Sequence, residues 1–214
     1  MATNLIVFDL DGTIVSSPVF YRMIYSGTLN RLVADRRGEQ GVAMLRYCRE
    51  HYDGRGELVL FALNIAFREW AHFLINAPLE SLKPQPDLCR KIRSFKGIKV
   101  VYTGSPVEMA SKILEHVGFS PNDDFDLIMG WREPELFPTK WTCSTFVFEE
   151  ILRRFSVSPS KAWAVGDVWD TDLLPAKMVG MKTALVGDAI GMPDCRFPNI
   201  EMFLKAIELS DGFV

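Results

Sequence analysis

Long apolar runs are missing from this 214-residue sequence, whose longest are interrupted well short of the roughly 18 residues a membrane helix needs. Cysteine is sparse. Cys48, Cys89, Cys143 and Cys195 lie far apart and form no Cys-x-x-Cys pair, which argues against structural zinc. All four are expected to be small buried hydrophobes in a reducing compartment. No Asn-x-Ser/Thr acceptor occurs. Basic charge is not in excess, since 24 Lys plus Arg against 27 Asp plus Glu leave a net charge of −3. That balance gives no electrostatic footprint for nucleic acid. His51, His72 and His116 have no metal-ligand spacing. No Gly-Lys pair exists, hence no Walker loop, and G-x-G-x-x-G and G-x-S-x-G are absent too. The opening MATNLIVFDLDG carries no basic stretch and turns acidic at Asp9, unlike a signal peptide. The expectation is a soluble cytoplasmic protein, monomer or homodimer, with neither nucleic acid nor membrane as partner.

Ordinary globular composition is what remains, 48% apolar and 24% charged. Leu5-Ile-Val-Phe8 is an unbroken apolar run ending in Asp9, the pattern of a buried parallel strand with polar groups at its carboxyl end. Similar runs are Ile98–Tyr102, followed by Thr103-Gly104-Ser105-Pro106, then Ala162–Val165 before Gly166-Asp167, and Thr183–Val186 before Gly187-Asp188. Phe125–Met129 is a candidate fifth strand. Between them fall helical periods: Val107–Val117 closed by Gly118, Thr145–Phe155, Asp172–Val179 and Asn199–Leu209. Alternating strands and helices imply βαβ units and a parallel sheet.

From about 16 to about 85 the rhythm is helical only, over Val19–Arg37, Gln40–Tyr52 and Glu57–Asn76, with Gly38 and Asp53-Gly-Arg-Gly56 as separators. The third segment is apolar almost all round, as at the centre of a small bundle. Phe61, Phe67, Trp70 and Phe73 on it are expected to pack. Pro78 and Lys83-Pro-Gln-Pro86 mark the return to the sheet.

Chemistry concentrates in Phe8-Asp9-Leu10-Asp11-Gly12-Thr13. A strand delivering two carboxylates to a glycine turn can bring both beside one small cavity. Calcium of the EF-hand kind is disfavoured, because the twelfth loop position, which must be Glu, is Phe20.

FDLDGT resembles the first motif of the haloacid-dehalogenase-like (HAD) hydrolases. The resemblance implies that Asp9 is a nucleophile attacking phosphorus and Asp11 the general acid/base. Dehalogenases of that family lack the second acid, so Asp11 favours phosphoryl chemistry. Thr103 resembles the hydroxyl residue of the second motif, which with the Gly104 amide would donate to phosphate oxygens. Gly166-Asp167-Val-Trp-Asp170-Thr-Asp172 resembles the fourth. Asp167 would then ligate magnesium beside Asp9 and the backbone carbonyl of Asp11, with Asp172 or its rival Asp170 as a supporting acid. The third-motif lysine, which stabilises charge and binds phosphate, has Lys140 as its nearest candidate. Trp141 follows it instead of the proline common in the family, and Lys161 and Arg132 are rivals. Trp169 would sit within the catalytic loop, walling the site or packing against the cap.

The motifs span nearly the whole chain. They imply an α/β, Rossmann-like parallel-sheet core of residues 1–15 and 84–214, with an inserted helical C1-type cap of residues 16–83. The implied activity is magnesium-dependent hydrolysis of a small phosphate monoester such as phosphoglycolate, a nucleotide or a sugar phosphate. A phosphomutase of the β-phosphoglucomutase type and a silent binding protein on the same fold are the alternatives.

Overall fold

A computed structural model describes residues 3–51, 58–131, 140 and 143–211. These divide into two compact units, one of residues 3–16, 83–131, 140 and 143–211 and the other of residues 17–51 and 58–82.

The first unit is built on six parallel strands: β1 (Leu5–Phe8), β2 (Ile98–Pro106), β3 (Leu127–Trp131), β4 (Ala162–Gly166), β5 (Lys182–Val186) and β6 (Cys195–Phe197). Their order across the sheet is β3-β2-β1-β4-β5-β6. β1 is central, with Leu5 opposite Ile98 on one side and Ala162 on the other. All four of its residues are buried, which is why it is an unbroken apolar run rather than an alternating one. The chain builds outward from β1 through β2 to β3 and then crosses back to β4. The strand order therefore reverses between β1 and β4, where an open parallel sheet forms its ligand crevice.

Helices cover the sheet. Val107–Val117 buries Met109, Ala110, Ile113, Leu114 and Val117, and ends at Gly118, whose φ of 110° permits the left-handed cap. Phe146–Phe155 buries Val147, Phe148, Ile151 and Leu152. Its Phe148 meets Tyr102 of β2 edge to face, with ring centroids 5.6 Å apart.

Several details depart from the sequence pattern. Pro86 opens a helix, Pro86–Ser94, where the prolines were read only as a return marker; proline suits the first helical turn, where no N–H partner is lost. β6 went unpredicted, because Cys195-Arg196-Phe197 is a short edge strand with little apolar burial to register. The expected helix from Asp172 is instead a π-helical turn, Trp169–Leu173, followed by Leu174–Met178. Cys48 and Cys89 are buried, but Cys143 and Cys195 are exposed and do not pack as small hydrophobes.

The second unit is wholly helical. Pro18–Tyr21 passes through a π-helical turn, Arg22–Ser26, into Gly27–His51, which breaks at Gly38 (φ 58°, ψ −150°). Val59–Ala62 and Phe67–Ile75 replace the single third helix, split at Asn64, whose φ is 51°. Phe20, Leu32, Val33, Leu45, Leu60, Trp70 and Leu74 form its interior, and the Trp70 indole N–H donates to Thr28 Oγ1 at 3.0 Å. Phe67 is buried as expected and Phe73 half-buried, while Phe61 is 57% exposed yet packs its ring against Phe67, with centroids 4.9 Å apart. The expected elements at 52–57 lie outside the described residues. Among the described residues, no helix is long and apolar enough to cross a membrane.

Phe148 joins its helix to β2 just below Tyr102. Phe148→Ala is expected to lower the unfolding free energy by about 3–5 kcal/mol, measured by urea denaturation.

Candidate active site

Asp9 follows β1 directly, and its amide donates to Val165 O of β4 at 2.8 Å, so the residue is locked across the crevice. Beyond it the chain turns tightly, with Val15 N donating to Leu10 O at 2.8 Å and Gly12 N to Val15 O at 2.7 Å. Gly12 makes this turn with φ +97°, and a Cβ there would collide with the Asp167 carboxylate. The turn therefore presses the first acidic pair against the end of β4, which carries Asp167.

Lys140 ties the cluster together. It is 6% exposed, and its ammonium donates to Asp9 Oδ1, to the Tyr102 carbonyl at 3.2 Å, and pairs with Asp172 Oδ1 at 3.0 Å. Asp172 is itself held: Oδ2 accepts from Val168 N at 2.9 Å and Oδ1 from the Thr171 hydroxyl at 2.9 Å. Val168, at the N-cap of the π-helical turn, and Thr171 within it supply the two, and Gly166 leaves room, since a Cβ there would overlap Asp172. Asp170 is exposed and outside the cluster, so of the two rivals the structure brings in Asp172.

Asp11 lies on the β2 side. Its Oδ2 accepts from Thr103 Oγ1 at 3.2 Å and from Ser105 Oγ at 2.9 Å. Thr103 thus turns its hydroxyl to Asp11, with half-buried Gly104 beside it. Lys161 stands before β4 at the opposite edge of the sheet, its carbonyl accepting from Asn4 N at 2.9 Å. Arg132 lies outside the described residues. Trp169 packs against the sheet's core and beside Gly191, where a Cβ would sit 2.6 Å from its Cγ.

Four contributors carry no signal in the sequence reading: Ser105, the Tyr102 carbonyl, the Val168 amide and the Thr171 hydroxyl. Ser105 was legible in principle, since residues two apart on a strand share a face. The backbone groups leave no trace in residue identity.

Negative charge dominates the cluster. Burial, opposed by Lys140, holds the Asp9 carboxyl well above its ordinary range. Burial first, and then the neighbouring Asp172, push Asp167 up to about 6. Burial alone would favour neutral Lys140, but the charges of Asp172 and Asp9 outweigh it and hold the ammonium charged. Oxygens of Asp9, Asp167 and Asp172 lie within 4.8 Å of one another, and Asp9 Oδ2 is buried with no hydrogen-bond partner among the described residues. An orphaned carboxylate oxygen among hard donors with excess negative charge fits a small divalent cation.

Residues 3–180 match the family model of the haloacid dehalogenase-like hydrolases. The chain belongs to that family. No curated protein matches it significantly. Among solved structures it resembles an HAD phosphatase from Thermococcus onnurineus, at 20% identity and a TM-score of 0.58, covering 95% of this chain and 97% of that one. It also resembles the HAD hydrolase YfnB from Bacillus subtilis in its magnesium-bound form, at 15% identity and TM-score 0.58, covering 97% of this chain and 100% of that one. A 2-haloacid dehalogenase from Pseudomonas syringae shares the fold as well, at 17% identity and TM-score 0.54, covering 97% and 99%. At these identities the likeness establishes the fold.

The raised Asp167 predicts a pH effect. A carboxyl whose folded pKa exceeds its unfolded value favours the fold below the unfolded pKa, and that contribution disappears as pH rises through about 6. In chelator, Asp167→Asn should therefore gain roughly 2 kcal/mol over the parent at about pH 7.5 and nothing at about pH 3.5, read from urea midpoints.

Proposed function

We propose that this hydrolase is a magnesium-dependent phosphatase of small phosphate monoesters, working through an aspartyl phosphate on Asp9. The carrying observation is Asp11, a second acid two residues past Asp9 and clamped by two hydroxyls. A departing halide needs no proton, whereas a departing alkoxide does. A proton donor fixed beside the nucleophile therefore favours phosphate esters over organohalides.

In this reading an Asp9 carboxylate oxygen attacks phosphorus in line. The bond from phosphorus to the substrate oxygen breaks, and Asp11 protonates the leaving alcohol. Asp11 then takes a proton from water, the hydroxide attacks phosphorus, and phosphate leaves Asp9. Splitting hydrolysis into two displacements lets one acid serve both halves. The Lys140 ammonium offsets charge at Asp9 throughout, and Asp172 keeps it there. Thr103 and the Gly104 amide would receive the phosphoryl oxygens once substrate displaces the contact to Asp11. Asp9, Asp167 and the Asp11 carbonyl would hold magnesium, with Asp172 behind them. When bound, the ion supplies charge neutralisation between carboxylate and phosphate.

Residues 16–83 serve here as a C1-type cap that selects substrate, a small phosphorylated metabolite, while the chemistry stays on the sheet. Monomer or homodimer, and a cytoplasmic setting, complete the proposal.

Asp9→Asn keeps the shape and removes the nucleophile. Hydrolysis of p-nitrophenyl phosphate should fall by at least about 10³-fold, near 4 kcal/mol in barrier. Acid quench and mass spectrometry of the parent should find a phosphoryl group on the Asp9 peptide; substantial turnover by Asp9→Asn would refute the assignment. Excess EDTA should abolish turnover and added magnesium restore it, and full activity in chelator rules out the metal role.

A further inference from the structure

The Ser-Pro before helix Val107–Val117 has the form of a helix-start signal, but Ser105 does not serve the helix. Pro106 occupies the N-cap position, and no side chain caps the first turn. The Ser105 hydroxyl instead donates to Asp11 Oδ2 at 2.9 Å, from a site 2% exposed.

Strand geometry explains how. Residues 103 and 105 share a face of β2. Pairing between β2 and β3 is regular through Tyr102↔Met129, then shifts so that Pro106 meets Trp131. The irregularity re-aims the intervening residues toward β1. It closes only because β3 carries Gly130 there: a Cβ would lie 2.5 Å from the Ser105 carbonyl. The Ser105 amide then donates to Thr103 Oγ1 at 3.1 Å, and Thr103 Oγ1 donates on to Asp11 Oδ2 at 3.2 Å. The accepted bond turns the Thr103 hydroxyl hydrogen toward Asp11. Ser105 thus acts on Asp11 twice, directly by its hydroxyl and through Thr103 by its amide.

We infer that Ser105 is the positioning residue of the proton-transfer acid, fixing the plane of the Asp11 carboxyl; this rests on the phosphatase reading above. The two donors on one oxygen stop rotation about the Cβ–Cγ bond before substrate binds, and the Ser105 hydroxyl keeps that hold once Thr103 turns to the phosphate. They also direct a transferable proton to the other oxygen, Oδ1. In the first half-reaction a bond forms from Asp9 to phosphorus, the bond to the leaving oxygen breaks, and the Asp11 proton passes to that oxygen. A mis-set carboxyl slows this in proportion to how much the leaving group needs the proton.

The test compares phenyl phosphate, a poor leaving group, with p-nitrophenyl phosphate, a good one, using the full chain with magnesium. kcat/KM reports transfer to Asp9, the first irreversible step. Ser105→Ala should lower it about 10–30-fold for phenyl phosphate and less than about threefold for p-nitrophenyl phosphate, within the range proton transfer commands. Added to Asp11→Asn, it should cost phenyl phosphate nothing further, since the two act as one unit. Loss of folded enzyme lowers both substrates by one factor, so their ratio isolates positioning. An unchanged ratio, or independent losses multiplying in the double variant, overturns the role of Ser105 while leaving the phosphatase reading intact. A parent that hydrolyses neither ester overturns both.

Discussion

The Lys140 ammonium, buried between Asp9 and Asp172, is the contact on which the site's geometry depends. A buried ion pair is poor evidence of stability, because desolvating its members offsets their attraction. Its value here is positional. Lys140 draws the acid after β1 and the acid of the loop after β4 to one point, across the line where the sheet's strand order reverses. The surrounding oddities follow. Asp172 can reach Lys140 because a π-helical turn offers it the Val168 amide, and because Gly166 has no side chain to obstruct it. Asp167 can approach Asp9 because Gly12 turns with a positive φ beneath it.

The same contact leaves a charge imbalance. Among the described residues, Asp9, Asp167 and Asp172 gather around a single ammonium, and Asp11 adds its charge nearby. Protein alone resolves this by retaining protons, as the upward displacement of Asp9 and Asp167 shows. A carboxylate cannot act as a nucleophile while protonated, so in the proposed reaction Asp9 needs further positive charge beside it. The orphaned Asp9 Oδ2 marks where the protein leaves that need unmet.

Legibility in the sequence followed physical cause. β1 was plain because a strand buried on both faces must be apolar throughout. Val107–Val117 was plain because its period and its glycine cap agree. Edge strand β6 carries no such signature, and Pro86 sends one signal at both a helix start and a helix stop. Phe61 packs against Phe67 but at the surface, a degree of burial that hydrophobicity alone does not set. Asp9, Asp11 and Asp167 stood out as acids at strand ends, and the resemblance to the family's motifs implied their roles. Lys140 was only a candidate, since its approach to Asp9 spans 131 residues of sequence and no periodicity encodes it. Ser105 carried no clear signal because serine before a proline-led helix fits two local structures, and only the β2–β3 irregularity decides between them.

Phosphoryl chemistry and substrate choice ask different things of a chain. The proposed chemistry needs oxygens and one ammonium held rigidly, and among the described residues the groups that would supply them belong to the sheet-bearing unit. Choice needs a surface free to vary without disturbing those positions. Residues 17–51 and 58–82 hold none of the site's acids and have an interior of their own, around Phe20, Leu32 and Trp70. Motifs at strand ends therefore report the reaction, while the identity of the substrate is written in side chains that the reaction does not constrain.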